Sequence, residues 1–207
     1  MGRRPLPRRC VLALAAAACL VCSPAQAQAP QAIQIIGGDA HAQRCVQAAL
    51  SGDTSDRAVE ECTRALRYPH LSSSGAQQIT INRGVIRLRR SEFDLALADF
   101  DTAVGQNTNN AEAHLNRGTA LLQLRRYGEA IAAFTTAMSL GVAEPHKAYF
   151  NRGAARESLG DLRGAYEDYS TALEIQPDWG PANAELARFA RGRRDHLATV
   201  LDSQATP

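Results

Sequence analysis

Apolar residues recur through the middle of this 207-residue chain at helical spacing, and they do so in the same order three times. Each copy has an alanine, an aromatic residue four positions later and a second alanine three positions after that. Residues three or four apart lie on one face of an α-helix, so each group predicts a helix that buries this face. The groups are Ala96, Phe100 and Ala103; Ala130, Phe134 and Ala137; and Ala165, Tyr169 and Ala172.

The tripeptide Asn-Arg-Gly precedes each group, with its glycine twelve residues before the first alanine. The tripeptides start at Asn82, Asn116 and Asn151, so they are 34 and then 35 residues apart. A fixed period of this length is typical of stacked helical hairpins. We call the glycine-bearing helix of each hairpin helix A and the alanine-aromatic helix its helix B. Small residues let two helices approach closely, so we expect glycine to lie opposite alanine and the aromatic ring to fill the space between hairpins.

These columns resemble the tetratricopeptide repeat, in which a small residue on helix A is followed by Ala-x-x-x-Phe on helix B and a closing proline. The resemblance divides the chain into repeats at 77–110, 111–145 and 146–179, of which only the third keeps the proline, Pro177. It implies an all-α fold, a right-handed superhelical solenoid of helical hairpins. Ser91 and Asp161 are the expected N-caps of two of the B helices.

The arginine of each tripeptide stands where the family has leucine. A charged group beside a helix crossing needs an acidic partner or solvent. The residue before the helix B aromatic is acidic in the first and third copies, Asp99 and Asp168, but is Ala133 in the second. The sequence leaves both explanations open.

A weaker hairpin is predicted over residues 39–74. Ala58, Cys62 and Ala65 repeat the helix B frame with cysteine in place of the aromatic residue, and a helix A is expected over residues 39–50. At the other end, Pro181 and the apolar residues after it predict a capping helix over 180–201, followed by a disordered tail over 202–207. The arginines of this helix indicate either a solvated polar cap or a basic docking patch.

The first 27 residues predict a cleaved secretory signal peptide. Four arginines precede an apolar run over 11–21, and a small-x-small site ends at Ala27. We therefore expect a periplasmic or secreted protein with a flexible lead-in over 28–38 and no membrane span. A weaker alternative is a lipid anchor at Cys19. Cleavage would remove four of 23 basic residues and none of 21 acidic ones, leaving a formal charge of −2 that does not favour nucleic acid.

Two of the five cysteines, Cys45 and Cys62, lie beyond the predicted signal peptide, one on each helix of the weak hairpin. In an oxidising compartment this pair predicts a disulfide, and two free thiols are the alternative. The histidines show no metal-binding spacing, and the sequence contains no G-x-S-x-G, phosphate-binding or dinucleotide-binding motif. We expect no metal, no cofactor and no catalytic activity.

Helix A is expected to line the concave side of the solenoid and to bind a protein or peptide there. A carboxamide both donates and accepts hydrogen bonds, so the asparagine column could hold a peptide backbone, resembling the asparagine ladder of other members of the family. The alternative is that these asparagines only pack. The carboxylate clamp of the family needs cations, for which only Arg89 or Lys147 could serve. The predicted groove residues are Ile81, Asn82, Val85, Arg89, Leu115, Asn116, Thr119, Gln123, Phe150, Asn151, Ala154 and Ser158.

The expected function is therefore a non-catalytic protein-protein interaction module. Two alternatives remain open from the sequence: a chaperone-like assembly factor, which would bind several extended clients, and an accessory subunit of a cell-envelope enzyme, which would bind one partner tightly.

Overall fold

Antiparallel helix pairs follow one another along the chain in a computed structural model that describes residues 40–205, with side chains described over 40–192. The predicted signal peptide, the lead-in and the lipid-anchor alternative at Cys19 lie outside the described residues. The part described is all-α, a right-handed solenoid of four hairpins followed by a capping helix. The hairpins are α1 (Ala40–Ser51) with α2 (Asp56–Ala65), α3 (Ser73–Arg89) with α4 (Phe93–Gln106), α5 (Ala111–Gln123) with α6 (Tyr127–Ser139), and α7 (Pro145–Ser158) with α8 (Leu162–Ile175); α9 is Gly180–Ala205.

Side-chain caps define several helix starts. Asp161 caps α8 as expected, since its Oδ1 accepts a hydrogen bond from the Gly164 amide at 2.9 Å. Ser91 does not cap α4. Its φ of 61° places it in the left-handed region, and Glu92 precedes the helix without a side-chain cap. Ser72 caps α3, which therefore begins before the predicted repeat boundary at residue 77.

The helix crossing within each clear hairpin brings glycine against the aromatic ring of the same hairpin, and not against alanine as expected. A Cβ built on Gly118 would lie 2.6 Å from Cε1 of Phe134, and one on Gly84 would lie 2.6 Å from Cε1 of Phe100. Both rings are fully buried. The glycine thus provides the space that the aromatic side chain occupies, because an alanine there would overlap the ring.

We expect Gly118→Ala to lower the free energy of unfolding by about 1–3 kcal/mol, the usual cost of overpacking a filled core. Gly128→Ala is the matched control, because Gly128 is also helical but has no atom within 4 Å of a built Cβ. The control should be neutral or stabilising by up to about 1 kcal/mol, since alanine has the better helix propensity. Urea unfolding followed by circular dichroism measures both variants. Equal stability of the two variants would contradict the role assigned to the glycine.

Successive hairpins pack mainly through helix B of one against helix A of the next, and their A helices also contact each other. α1 contacts α3, α3 contacts α5 and α5 contacts α7, whereas no pair of B helices makes comparable contact in the described part of the chain. The A helices therefore lie on the inner side of the curve. α9 continues to Ala205, past the predicted end of the capping helix at Leu201.

Candidate functional site

Five of the predicted groove residues are buried between helices. Ile81 and Val85 belong to the main hydrophobic core, and Leu115 joins them with 4% of its surface exposed. Asn82 and Asn116 are 0% and 2% exposed. These side chains support the groove from beneath and offer no surface to a ligand in this structure, because residues at the A-helix interfaces are covered by the neighbouring hairpin.

The other predicted groove residues keep accessible surface. Arg89 is half-buried and donates a hydrogen bond to the carbonyl of Ala49, so it ties α3 to the first hairpin. The remaining six lie on two A helices that contact each other, α5 and α7. We call them the inner surface: Thr119, Gln123, Phe150, Asn151, Ala154 and Ser158.

Asn116 carries the buried polar side chain of α5. Its Nδ2 is buried and has no hydrogen-bond partner in the structure. A buried donor without an acceptor costs about 1–3 kcal/mol. With 2% of its surface exposed, Asn116 directs this donor into the protein interior and not toward a ligand on the inner surface.

An aromatic cluster forms the α7 end of the inner surface. The Phe150 ring lies 4.9 Å from the Trp179 ring and 5.3 Å from the Tyr169 ring, and His146 packs edge-on against Trp179 at 4.9 Å. Burial lowers the pKa of His146. Trp179 could not be predicted from the repeat, because it lies in the connection between α8 and α9 and outside the repeated columns. Its packing fixes the position of Phe150 beside the groove.

Lys147 is neutralised by its own neighbours. Its Nζ lies 2.7 Å from Oε2 of Glu144. Glu112, a short distance away on α5, accepts a hydrogen bond from the amide of Ala143 at 3.1 Å, and burial raises the pKa of its carboxyl. Because Lys147 is already paired and Arg89 is bound to Ala49, neither cation is free to grip a terminal carboxylate.

The arginines of the repeated tripeptide are paired with acids. Arg83 forms two hydrogen bonds to Asp99, at 3.1 and 2.7 Å, and Arg152 forms the same two bonds to Asp168, at 3.0 and 2.7 Å. Both aspartates are at least 97% buried. The acidic-partner explanation is therefore confirmed for the first and third copies.

The second copy has no acid on its own helix B, and its arginine uses the preceding hairpin. Arg117 donates to Asp101 on α4 at 2.6 Å. Asp101 directly follows the aromatic residue of its helix. Thr63 and Thr135 hold the same position in their helices, directly after Cys62 and Phe134. These two threonines accept hydrogen bonds from Arg83 and Arg152 at 3.2 and 3.1 Å. Each tripeptide arginine thus joins its hairpin to the one before it.

The first hairpin is held by a disulfide and a buried acid. Cys45 and Cys62 are bonded, with their Cα atoms 4.7 Å apart, and both are fully buried. Next to them, hydrogen bonds from His41 and then Arg44 lower the pKa of the Glu61 carboxyl to about 2. These contacts replace the aromatic packing that the hairpin lacks.

The described residues contain neither a metal-binding cluster nor a membrane-spanning helix. No group of three histidine, cysteine, aspartate or glutamate side chains there could hold a metal ion. None of the helices described is both long and apolar enough to cross a membrane.

The chain is similar to known proteins that contain tetratricopeptide repeats. Residues 81–141 and 146–178 match family models of the tetratricopeptide repeat. RNA polymerase II-associated protein 3 of Xenopus tropicalis is 32% identical over 120 residues, which are 56% of this chain and 18% of that protein. The chain therefore matches less than a fifth of the length of this curated relative.

Two solved structures are similar in fold. The first tetratricopeptide domain of Spaghetti (RPAP3), bound to the HSP90 peptide SRMEEVD, is 25% identical with a TM-score of 0.55, and the match covers 61% of this chain and 99% of that one. The crystal structure of MamA is 22% identical with a TM-score of 0.63, and the match covers 79% of this chain and 91% of that one. The second likeness is one of fold alone.

Proposed function

We propose that this chain, which carries tetratricopeptide repeats over residues 81–141 and 146–178, is a non-catalytic module that binds an extended peptide segment of a partner on its inner surface. The observation that carries the proposal is that accessible polar side chains of α5, Thr119 and Gln123, lie on a helix that contacts the one bearing Phe150 and Asn151. A carboxamide such as that of Gln123 can donate to and accept from a peptide backbone. The Phe150 ring supplies apolar contact, and the Asn151 amide both donates and accepts.

The mode of binding differs from a carboxylate clamp. The similar domain of Spaghetti is bound to a peptide that ends in Glu-Glu-Val-Asp. In this chain Lys147 is paired with Glu144, Glu112 adds a further acid nearby, and Arg89 is bonded to the carbonyl of Ala49, so neither of these two cations is available to an acidic peptide end. The partner segment is therefore held by its backbone and by apolar side chains.

The same proposal places the protein in the periplasm or outside the cell of a bacterium. Supporting this are the arginine-rich start, the apolar run over 11–21 and the cleavage site ending at Ala27. The bonded, buried Cys45–Cys62 pair supports it independently, since such disulfides persist in oxidising compartments.

Site-specific photo-crosslinking in the full chain tests the binding surface. A photo-crosslinking residue at Ser158, which is exposed on the inner surface, should capture a partner segment that mass spectrometry can identify. Ser139 is the matched control, because it is the same residue type and is exposed on a B helix. Equal capture from both positions would contradict an inner-surface site.

The captured segment, made as a synthetic peptide, gives the quantitative test. We expect Asn151→Ala to weaken its binding about tenfold, which corresponds to one lost hydrogen bond. The peptide SRMEEVD, with a free and an amidated carboxyl end, probes the clamp alternative. Tighter binding of the free form, together with unchanged affinity in Asn151→Ala, would show that the clamp mode applies.

A further inference from the structure

The last hairpin leaves an apolar face of its B helix exposed. Leu162 and Tyr166 on α8 are 55% and 43% exposed. The equivalent residues of the two preceding hairpins pack against the main core, because a complete helix pair follows each of those hairpins and covers them. α8 is followed by α9, with no second helix after it among the described residues. The covered equivalents are Phe93, Leu97, Tyr127 and Ile131.

An open groove of about 980 Å³ runs between α8 and α9 where the missing helix of a fifth hairpin would lie. Its apolar lining comes from Leu162 and Tyr166 on α8 and from Leu186 and Phe189 on α9. Arg163, 92% exposed at its side chain, lines the same groove and is paired with Glu167 at 3.0 Å. The groove is therefore open and largely apolar, as a docking site for the apolar face of a helix must be.

α9 is much longer than the helix on which it packs. With a rise of about 1.5 Å per residue, its 26 residues span about 39 Å, whereas the 14 residues of α8 span about 21 Å. α8 is the only helix with which α9 makes extensive contact in the described chain. The part of α9 after residue 192 thus extends past the hairpin.

The sequence of that extension continues the apolar stripe of α9. At 100° per residue, positions 197, 200 and 201 fall on the same side of the helix as positions 186 and 189. The residues are Leu197, Val200 and Leu201, and Arg193 is the single interruption of the stripe. A rigid helix cannot fold back into the groove that its own first half forms, so the extension needs a second molecule.

We propose that the groove between α8 and α9 is occupied by the α9 extension of a second copy of this chain, giving a two-fold symmetric dimer. Each copy then supplies one groove and one extension, as an isologous interface requires. An antiparallel pair of α9 helices centred on position 193 sets Leu186 opposite Val200 and Phe189 opposite Leu197. The same register sets Arg193 opposite its own copy at the two-fold axis, so like charges oppose the pairing there and the apolar residues must supply its stability.

Analytical ultracentrifugation of the full chain tests the dimer. We expect the wild type to be dimeric at micromolar concentration, and the double substitution Leu197→Asp with Val200→Asp to make it monomeric. Tyr166→Glu, on the groove side, should have the same effect. Thr199→Asp is the control, because position 199 lies on the opposite side of the helix and its substitution should leave the dimer intact.

The position of the symmetry axis has its own test. A single cysteine introduced by Arg193→Cys lies opposite itself in this register, so mild oxidation should give a covalent dimer in high yield. Thr199→Cys should give little. A monomeric wild type, or a dimer that survives both Tyr166→Glu and the double aspartate substitution, would overturn the proposal. Capture of a different protein in this groove with no self-association would overturn it equally.

Discussion

Asp99→Ala is expected to lower the free energy of unfolding by about 3–5 kcal/mol, the usual cost of removing one partner from a buried ion pair. Asp99 is 3% exposed and accepts hydrogen bonds from Arg83 and also from Arg87, whose Nη1 lies 2.7 Å from Oδ2. Without the carboxylate, two largely buried guanidinium groups lose their shared acidic partner. Urea unfolding monitored by circular dichroism measures the loss.

The second repeat provides a comparison for this prediction, because its helix B has no acid at the position equivalent to Asp99. At the positions of Arg87 and Asp99 it has Leu121 and Ala133, both buried and apolar. Its remaining arginine is paired with Asp101 of the preceding hairpin. The corresponding position before the first repeat is Thr63.

The arrangement of the second repeat can therefore be transferred to the first. The triple variant Thr63→Asp, Arg87→Leu and Asp99→Ala removes one arginine, fills its place with an apolar side chain and gives Arg83 a new acid. We expect it to recover most of the stability that Asp99→Ala loses, since buried ion pairs and apolar replacements are often equivalent in free energy. A triple variant no more stable than Asp99→Ala would show that the acid acts through something other than charge pairing.

Features that repeat along one helix could be predicted from the sequence. The 34- and 35-residue period gives the hairpins, and the acid before the aromatic residue correctly indicates the partners of Arg83 and Arg152. The Cys45–Cys62 bond is likewise predictable, because both residues fall in the frame of a single hairpin.

Features that depend on how hairpins stack could not be predicted in the same way. The bond from Arg117 to Asp101 crosses between hairpins, so it depends on their relative rotation. The burial of Asn82 and Asn116 likewise appears only once the hairpins are packed together. The groove between α8 and α9 arises from the end of the stacking, for which a repeat pattern carries no signal.

The second large effect is expected at the first hairpin when its disulfide is absent. Its loop joins cysteines 17 positions apart, so the bond contributes about 3 kcal/mol in the chain-entropy description. Both sulfurs are fully buried, and reduction therefore requires the protein to be unfolded and then refolded in reductant. Wild type refolded in this way keeps every side chain and loses only the cross-link.

In a solenoid each hairpin contacts only its neighbours, so this loss should be local. We expect hydrogen exchange in the reduced protein to accelerate across α1 and α2, while α5 to α8 keep their protection. α3 should be affected to an intermediate degree, because its Ile79 and Ile86 pack in the core of the first hairpin, whereas its Ile81 and Val85 pack in the core that it shares with α4. A Cys45→Ala, Cys62→Ala variant is the control, since reductant should not change its exchange. Unchanged protection of α1 and α2 in reduced wild type would contradict this prediction. It would mean that packing against α3 is enough to keep the first hairpin folded without the cross-link.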